Sequence, residues 1–205
     1  MFEALRRDAA RYRNFGGWAQ HLGFWAVAVY RLAAWARAHR VPVLSPALII
    51  VSFALKQPFR LLLHLELPSR ARIGPGFALV HPYNVLIGHD VVIGADCTIY
   101  HEVTLGLGPV PGEPKVGNAV VIFPGARILG GVTLGDQVEV GANCVVTRDV
   151  PAMSLMVAPL PRTIPKTLVS RCTSPASAAS PACGEPAGPQ AASEVAVRMK
   201  SAAAP

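Results

Sequence analysis

The sequence predicts a mainly β chain, a parallel β-helix preceded by a short α-helical segment. An aliphatic residue recurs every sixth position in three runs: Ile73 and Leu79; Ile87, Ile93, Ile99 and Leu105; Val116, Ile122, Ile128, Leu134, Val140 and Val146. Glycine directly follows Ile73, Ile87, Ile93, Leu105, Val116, Leu134 and Val140. A period of six is neither helical nor simple strand alternation, and it marks a solenoid whose coils stack an aliphatic column. The glycines are expected to turn corners, where they tolerate backbone angles that strain other residues.

The helical segment comes first. Residues 1–16 carry no long apolar stretch ahead of a small-residue cleavage site, so no signal peptide is expected. From Trp18 to about His39, Leu22, Trp25, Ala26, Val29, Leu32 and Trp35 recur at three and four, which predicts a helix with these residues on one face. Arg31, Arg37 and Arg40 sit towards its C-terminal end, where they suit the helix dipole, and Pro42 ends or follows it. A second apolar stretch, Ala47 to Leu65, is interrupted by Lys56, Pro58 and Arg60. Its unbroken part is far short of the roughly 20 residues of a membrane span. The two stretches read as a helix pair packed on the protein or a neighbouring subunit; the alternative is an amphipathic pair lying on the inner membrane surface through residues 18–65.

The coils occupy about residues 66–165, and two breaks interrupt their phase. Leu79 to Ile87 holds two extra residues around His81-Pro82-Tyr83-Asn84; Leu105 to Val116 holds five, around Gly108 to Pro114. An insertion in a solenoid leaves the coil as a loop, and such loops often build the site. After Val146, Pro151, Pro159 and Pro161 suggest an extended exit. Residues 166–205, rich in Ala, Ser and Pro, are expected to be disordered.

Composition narrows the partners. The formal net charge is +7, compatible with an anionic ligand such as a nucleotide or coenzyme A, or with acidic lipids. No basic run with interleaved aromatics points to nucleic acid. Cys97, Cys144, Cys172 and Cys183 form no C-x-x-C pair; the first two read as small buried side chains, and the cytoplasm fits.

The run Ile73 to His81, with Val103-Thr104-Leu105-Gly106, Gly125 to Gly130 and Asp149-Val150-Pro151, resembles the serine acetyltransferases of the hexapeptide acyltransferase superfamily. The resemblance covers roughly residues 66–165. It implies a left-handed β-helix, usually a homotrimer with sites between subunits, and acetyl transfer from acetyl-CoA to a hydroxyl. The family's catalytic His falls on His81 and its partner carboxylate on Glu66, an Asp in the family. Val80 stands where an Asp commonly precedes the His. Gly112 and Glu113 stand where an Arg-His pair usually precedes Pro-Lys. The acceptor is therefore expected to be serine or, in a compact branch of the family, a sugar or other small alcohol. Tyr83, Asn84, His101 and Glu113 are the expected acceptor-side residues. The pantetheine arm is expected near Gly106, Pro124, Gly141 and Ala142, with Arg127, Arg148 or Lys166 meeting the phosphates.

The chemistry suits the residues. Attack of a hydroxyl on a thioester needs a general base, and imidazole, with an ordinary pKa of about 6.5, is suited to it. A carboxylate on the other ring nitrogen would fix the tautomer and stabilise the imidazolium. Glu66 precedes His81 by a little less than one coil of three hexads, so contact between adjacent coils is permitted. His89 and His101 raise a metal reading, but no His follows His101 in the later coils, and no metal is expected. A non-catalytic trimeric scaffold is the competing reading.

Overall fold

The computed structural model describes residues 1–13, 17–39 and 44–159, with the side chains of residues 44–46 left out. Lys166, Cys172, Cys183 and the whole 166–205 tail lie outside the described residues.

Thirteen short strands form a three-faced prism in which every pairing is parallel. Face one stacks β1 (Arg72–Ile73), β4 (Val92–Ile93), β7 (Lys115–Val116) and β10 (Thr133–Leu134). Face two stacks β2 (Ala78–Leu79), β5 (Thr98–Ile99), β8 (Val121–Ile122), β11 (Glu139–Val140) and β13 (Leu155–Met156). Face three stacks β3 (Leu86–Ile87), β6 (Thr104–Gly106), β9 (Arg127–Leu129) and β12 (Val145–Val146). The chain visits the faces in that order, coil after coil. The hexad aliphatics stand in register: Ile93 on Val116 and Leu134, Ile99 on Ile122 and Val140, Leu105 on Ile128 and Val146. All point inward and are buried. A narrow column filled from three sides leaves each aliphatic little room to change volume.

The glycines do a different job from the one expected. None of the seven that follow a hexad aliphatic has positive φ. Left-handed backbone falls instead on corner residues that are mostly not glycine, among them Asn84, Asp96, Glu102, Ala119, Gln137 and Asn143. The first-face glycines are needed for close approach. A Cβ on Gly94 would come within 2.6 Å of the Gly117 carbonyl carbon, and Gly74 stands in the same relation to Gly94 at 2.6 Å. Successive coils touch backbone to backbone there.

Among the described residues three helices precede the coils: α1 (Phe2–Arg11), α2 (Leu22–Ala38) and α3 (Leu44–Leu63), with a short 3-10 turn at Trp18–Gln20. The first was not foreseen. The third runs through Lys56, Pro58 and Arg60, which interrupt its apolar character but not the helix. In α2 the periodicity holds but the buried face is turned. Phe24, Ala26, Val27, Tyr30, Ala33 and Ala36 face inward, while Leu22 and Trp25 are exposed. The cause is proximity: a Cβ on Gly23 would lie 3.1 Å from the Leu79 carbonyl carbon, so small residues must face β2. Trp25 turns outward against Trp18.

These helices complete the open edge of the first coil. Strands β1 and β2 end their sheets, leaving backbone groups with no neighbouring strand. Tyr12 Oη accepts from Leu79 N–H at 2.9 Å and donates to its carbonyl at 3.2 Å. Tyr30 Oη does the same for Ile73 N–H at 3.2 Å and the Ala71 carbonyl at 2.7 Å. Asp8 accepts from Phe77 N–H at 2.9 Å. Arg31 donates to the carbonyls of Ile73 and Gly74 at 2.5 and 2.6 Å, and to both oxygens of Asp8 at 3.0 and 3.1 Å. Arg31, expected to suit the helix dipole, is buried and holds the coil backbone instead, and Asp8 is buried with it. Burial and the Leu79 contacts act on Tyr12 in opposite directions; burial wins and pushes its phenol up to about 12.

Removing one member of a buried, hydrogen-bonded ion pair leaves the other uncompensated, at about 3–5 kcal/mol. Asp8→Ala is expected to lower unfolding stability by that amount in urea denaturation, and the exposed Glu3→Ala by less than about 0.5 kcal/mol. An equal effect of the two would show that the pair does not hold the cap.

Candidate functional site

The edge where face two turns into face three gathers most of the expected site residues. At each turn the backbone stacks by one repeated bond: Glu102 N–H donates to the Tyr83 carbonyl at 2.8 Å, Gly125 N–H to His101 at 3.2 Å, and Asn143 N–H to Pro124 at 2.9 Å. Tyr83, His101, Pro124 and Ala142 therefore occupy equivalent places on successive coils. The edge carries His81, Tyr83, Asn84 and His101 at one end and Pro124, Gly141 and Ala142 further along.

His81 departs from this column. The two extra residues lift it out of the coil, and Tyr83 N–H closes the bulge on the His81 carbonyl at 2.7 Å. Pro82 is buried beneath, while the His81 side chain is exposed. Its φ is +53°, a left-handed conformation that costs a β-carbon residue strain. The His101 ring stands 6.3 Å away, centre to centre and edge-on. His101 Nδ1 is buried with no hydrogen-bond partner among the described residues. Tyr100 and Phe123, both half-buried and each one residue before His101 and Pro124, stack at 5.5 Å. The arrangement offers an exposed imidazole beside the buried Pro82, with a second imidazole next to it.

Glu66 lies on another part of the surface. It bridges to Leu86 at the start of face three, its side chain pointing outward. Its carboxylate faces the Arg60 guanidinium at 3.5 Å, and no hydrogen bond to His81 occurs among those of the described residues. Glu66, Gly106, Glu113 and His89 line a groove of about 630 Å³ between the first coils and α3. Glu113 accepts from Asp90 N–H at 2.6 Å and so pins the 108–114 loop to the corner above Gly88. Arg127 and Arg148 are exposed, Arg127 on the outer side of face three and Arg148 beyond β12. The expected residues thus divide between an edge and a groove. Arg37, Lys56 and Ser69 also line the groove. No motif announced them, because only the return of α3 across the coils brings them there.

Cys97 and Cys144 are buried free thiols. Burial pushes the Cys97 thiol up to about 11, which suits packing rather than nucleophilic chemistry. Among the described residues no group of three or more His, Cys, Asp or Glu is placed to hold a metal ion. No helix of the described residues is long and apolar enough to cross a membrane.

Residues 113–148 match the family model for the bacterial transferase hexapeptide (six repeats). A serine acetyltransferase of Helicobacter pylori is 36% identical over 165 residues, spanning 79% of this chain and 92% of the relative. One of Synechococcus elongatus is 37% identical over 151 residues, spanning 72% of this chain and 59% of the relative. Among solved structures, serine acetyltransferase isoform 3 of Entamoeba histolytica in complex with cysteine superposes with a TM-score of 0.65 at 26% identity, over 84% of this chain and 64% of that one. A serine acetyltransferase complex with CoA gives a TM-score of 0.63 at 26% identity, over 74% and 64%. The chain spans slightly less than two thirds of those solved chains.

The left-handed backbone at His81 has a measurable consequence. His81→Gly relieves the strain of a β-carbon at φ +53° and is expected to raise unfolding stability by about 0.5–1 kcal/mol, read by urea denaturation. A loss of stability would show that the imidazole contributes packing that outweighs the strain.

Proposed function

This chain belongs to the serine acetyltransferase family of hexapeptide-repeat transferases, and from that premise we propose that it moves acetyl from acetyl-CoA to a hydroxyl acceptor, with His81 as general base. The observation that carries the reading is the position of His81: exposed, raised from the coil by a two-residue bulge, and on the same edge as Pro124, Gly141 and Ala142. A relative solved with CoA supports the donor, and one solved with cysteine supports a small amino acid or alcohol on the acceptor side.

The imidazole of His81 takes the proton of the acceptor hydroxyl as its oxygen attacks the thioester carbonyl. The tetrahedral intermediate collapses by breaking the carbon–sulfur bond. The imidazolium then returns its proton to the departing thiolate, giving free CoA and the O-acetyl product. His101 is a positioning neighbour on this reading. Its buried Nδ1 has no partner among the described residues and is a polar atom that an acceptor hydroxyl could satisfy. Glu66 is the proposed orienting carboxylate. Its Arg60 contact is long, and both side chains are about half exposed, so little free energy holds it there. Tyr83 and Asn84, beside His81, border the acceptor. Arg127 and Arg148 are proposed to meet the phosphates of CoA, as solvent-exposed cations free to follow a charged ligand.

The acceptor is serine or a sugar hydroxyl. Glu113 favours the second alternative, because it stands where a cationic pair would meet an amino-acid carboxylate and its own carboxylate is bound to Asp90 N–H. A screen of L-serine beside several sugars, read by thiol release and mass spectrometry, decides between them. Residues 1–65, 66–165 and 166–205 are proposed as helical cap, transferase unit and tail.

His81→Ala is expected to slow acetyl transfer by about 10²–10⁴ while CoA still binds. Glu66→Gln is expected to cost less, and the double variant little more than His81→Ala, because residues acting as one unit are not additive. Full activity in His81→Ala would remove the base; fully additive losses would remove the dyad and leave the base.

A homotrimer with sites between neighbours is proposed as the working assembly. Leu86, Val145, Leu155 and Val157 are exposed on the coils, and in a trimer a neighbouring prism would cover such residues. Light scattering is expected to give three times the chain mass, and a monomer mass at working concentration would argue against a shared site.

A further inference from the structure

Helix α3 turns polar residues inward and an apolar side out, the reverse of a helix whose outer face meets water. The positions facing the protein are Ser52, Lys56, Phe59 and Leu63; Ser52 and Leu63 are buried, the other two half-buried. Ser52 Oγ donates to the Ile49 carbonyl at 2.8 Å, and Lys56 Nζ to the Leu67 carbonyl at 3.2 Å, so both polar groups are engaged within the fold. The opposite side presents Ile50 and Leu61, 68% and 72% exposed, and beside them Leu62, 77% exposed, with Val51 and Leu55. None of these five lines the groove that holds Glu66, Gly106 and Glu113, and none is a coil residue that a neighbouring prism would cover.

Helix α2 packs on α3, and its side away from the coils carries Trp25, exposed, with Leu32 and Trp35 half-buried. Trp25 Nε1 donates to the Ala19 carbonyl at 3.1 Å. An indole with an apolar body and a satisfied N–H suits the boundary between water and hydrocarbon. Charge selects what can cover such a surface. Residues 18–65 contain five Arg and Lys and no Asp or Glu. Residues 1–65 hold nine against two, and residues 66–205 hold ten of each, so the full net charge of +7 falls on the helical segment. A second copy meeting the same face about a two-fold axis would bring these cations together with no carboxylate on either helix pair to offset them. An anionic bilayer offers hydrocarbon to the aliphatics and negative charge to the cations.

We propose that the outer face of α2 and α3 docks on an anionic phospholipid bilayer, with Ile50, Leu61 and Leu62 entering the hydrocarbon boundary and the Trp25 indole at the headgroups. Lys56, Pro58 and Arg60 interrupt the apolar run of α3, and no helix of the described residues is long and apolar enough to cross a membrane, so the contact is with one leaflet. The inference uses no residue assigned to acetyl transfer and stands or falls apart from it.

The test is sedimentation of the full-length protein with vesicles of phosphatidylcholine, with and without phosphatidylglycerol. Vesicles that contain phosphatidylglycerol are expected to bind about ten-fold more tightly than phosphatidylcholine alone, and high salt to remove the difference. Tryptophan emission is expected to shift to the blue as the Trp25 indole leaves water. The double variant Leu61→Gln Leu62→Gln alters two exposed side chains, and it is expected to weaken binding about ten-fold with an unchanged melting curve. Met153→Gln, a change at an exposed apolar residue of the last coil, is expected to leave binding unaltered. Equal sedimentation with both vesicle types, or full binding by the folded double variant, would overturn the proposal. So would absence of sedimentation. If the wild-type mass in light scattering then falls in the double variant, the face belongs to a second copy; if the mass is unchanged, it belongs to a protein partner.

Discussion

The contact on which the rest of the molecule depends is the closure of the first coil by polar side chains of α1 and α2. A stack of parallel coils satisfies its backbone internally except at its ends. An exposed row of N–H and C=O groups is a template for unwanted pairing. Here the row from Ala71 to Leu79 is met group by group, by two tyrosine hydroxyls, one carboxylate and one guanidinium. The Asp8–Arg31 pair is buried, and each member also bonds to backbone. Desolvating two charges is tolerated when the geometry is good and the remaining donors and acceptors are filled. Further contacts, Arg7 to Asp96 at 2.6 Å and Arg11 to Thr98 at 2.8 Å, extend the attachment to the second coil.

That closure fixes where the functional surfaces fall. With α1 and α2 over the end, α3 returns along the coils and forms the groove that contains Glu66 and Glu113. The face-two to face-three edge remains uncovered, and the bulge at His81 lies on it. The two insertions act differently. The two-residue one raises a strained imidazole into solvent; the five-residue one is pinned down by Glu113 on Asp90 N–H. One loop presents an exposed imidazole, and the other shapes a wall.

Much of this was legible in the residues. Hexad phase gave the twelve stacked aliphatics from Ile73 to Val146, but not the second buried set two positions earlier, Val85, Val91, Val103, Val120, Val132 and Val138. The breaks in phase marked both loops correctly. What could not be read was anything decided by contact across the fold. The glycines after the aliphatics were expected at left-handed corners, but they serve the close approach of coils, as at Gly94 over Gly117. The buried face of α2 is turned from the one its apolar period marks, because the proximity of β2 favours Ala and Gly over Trp. The helix at Phe2–Arg11 has only Phe2 and Leu5 as large apolar residues; beside the packing of Leu5 and Ala9, its hold on the coils is polar, through Asp8 and Tyr12's neighbouring hydroxyl, which no hydrophobic period reports. Glu66 stood at a spacing that permitted contact with His81, yet spacing does not say which way a side chain turns, and it turns to Arg60.

The polar contacts that cap the first coil are made to its main chain. Tyr12, Tyr30, Asp8 and Arg31 recognise amides and carbonyls, and none of these bonds engages a side chain of the coil beneath. Recognition of this kind is indifferent to sequence on the coil's outer surface. The outward residues of the first turn can diverge while the lid stays in place. Exchange of coils beneath it, by duplication or recombination, needs to preserve their pitch, the close approach of β2 to Gly23 and, on the second coil, the side-chain partners Asp96 and Thr98.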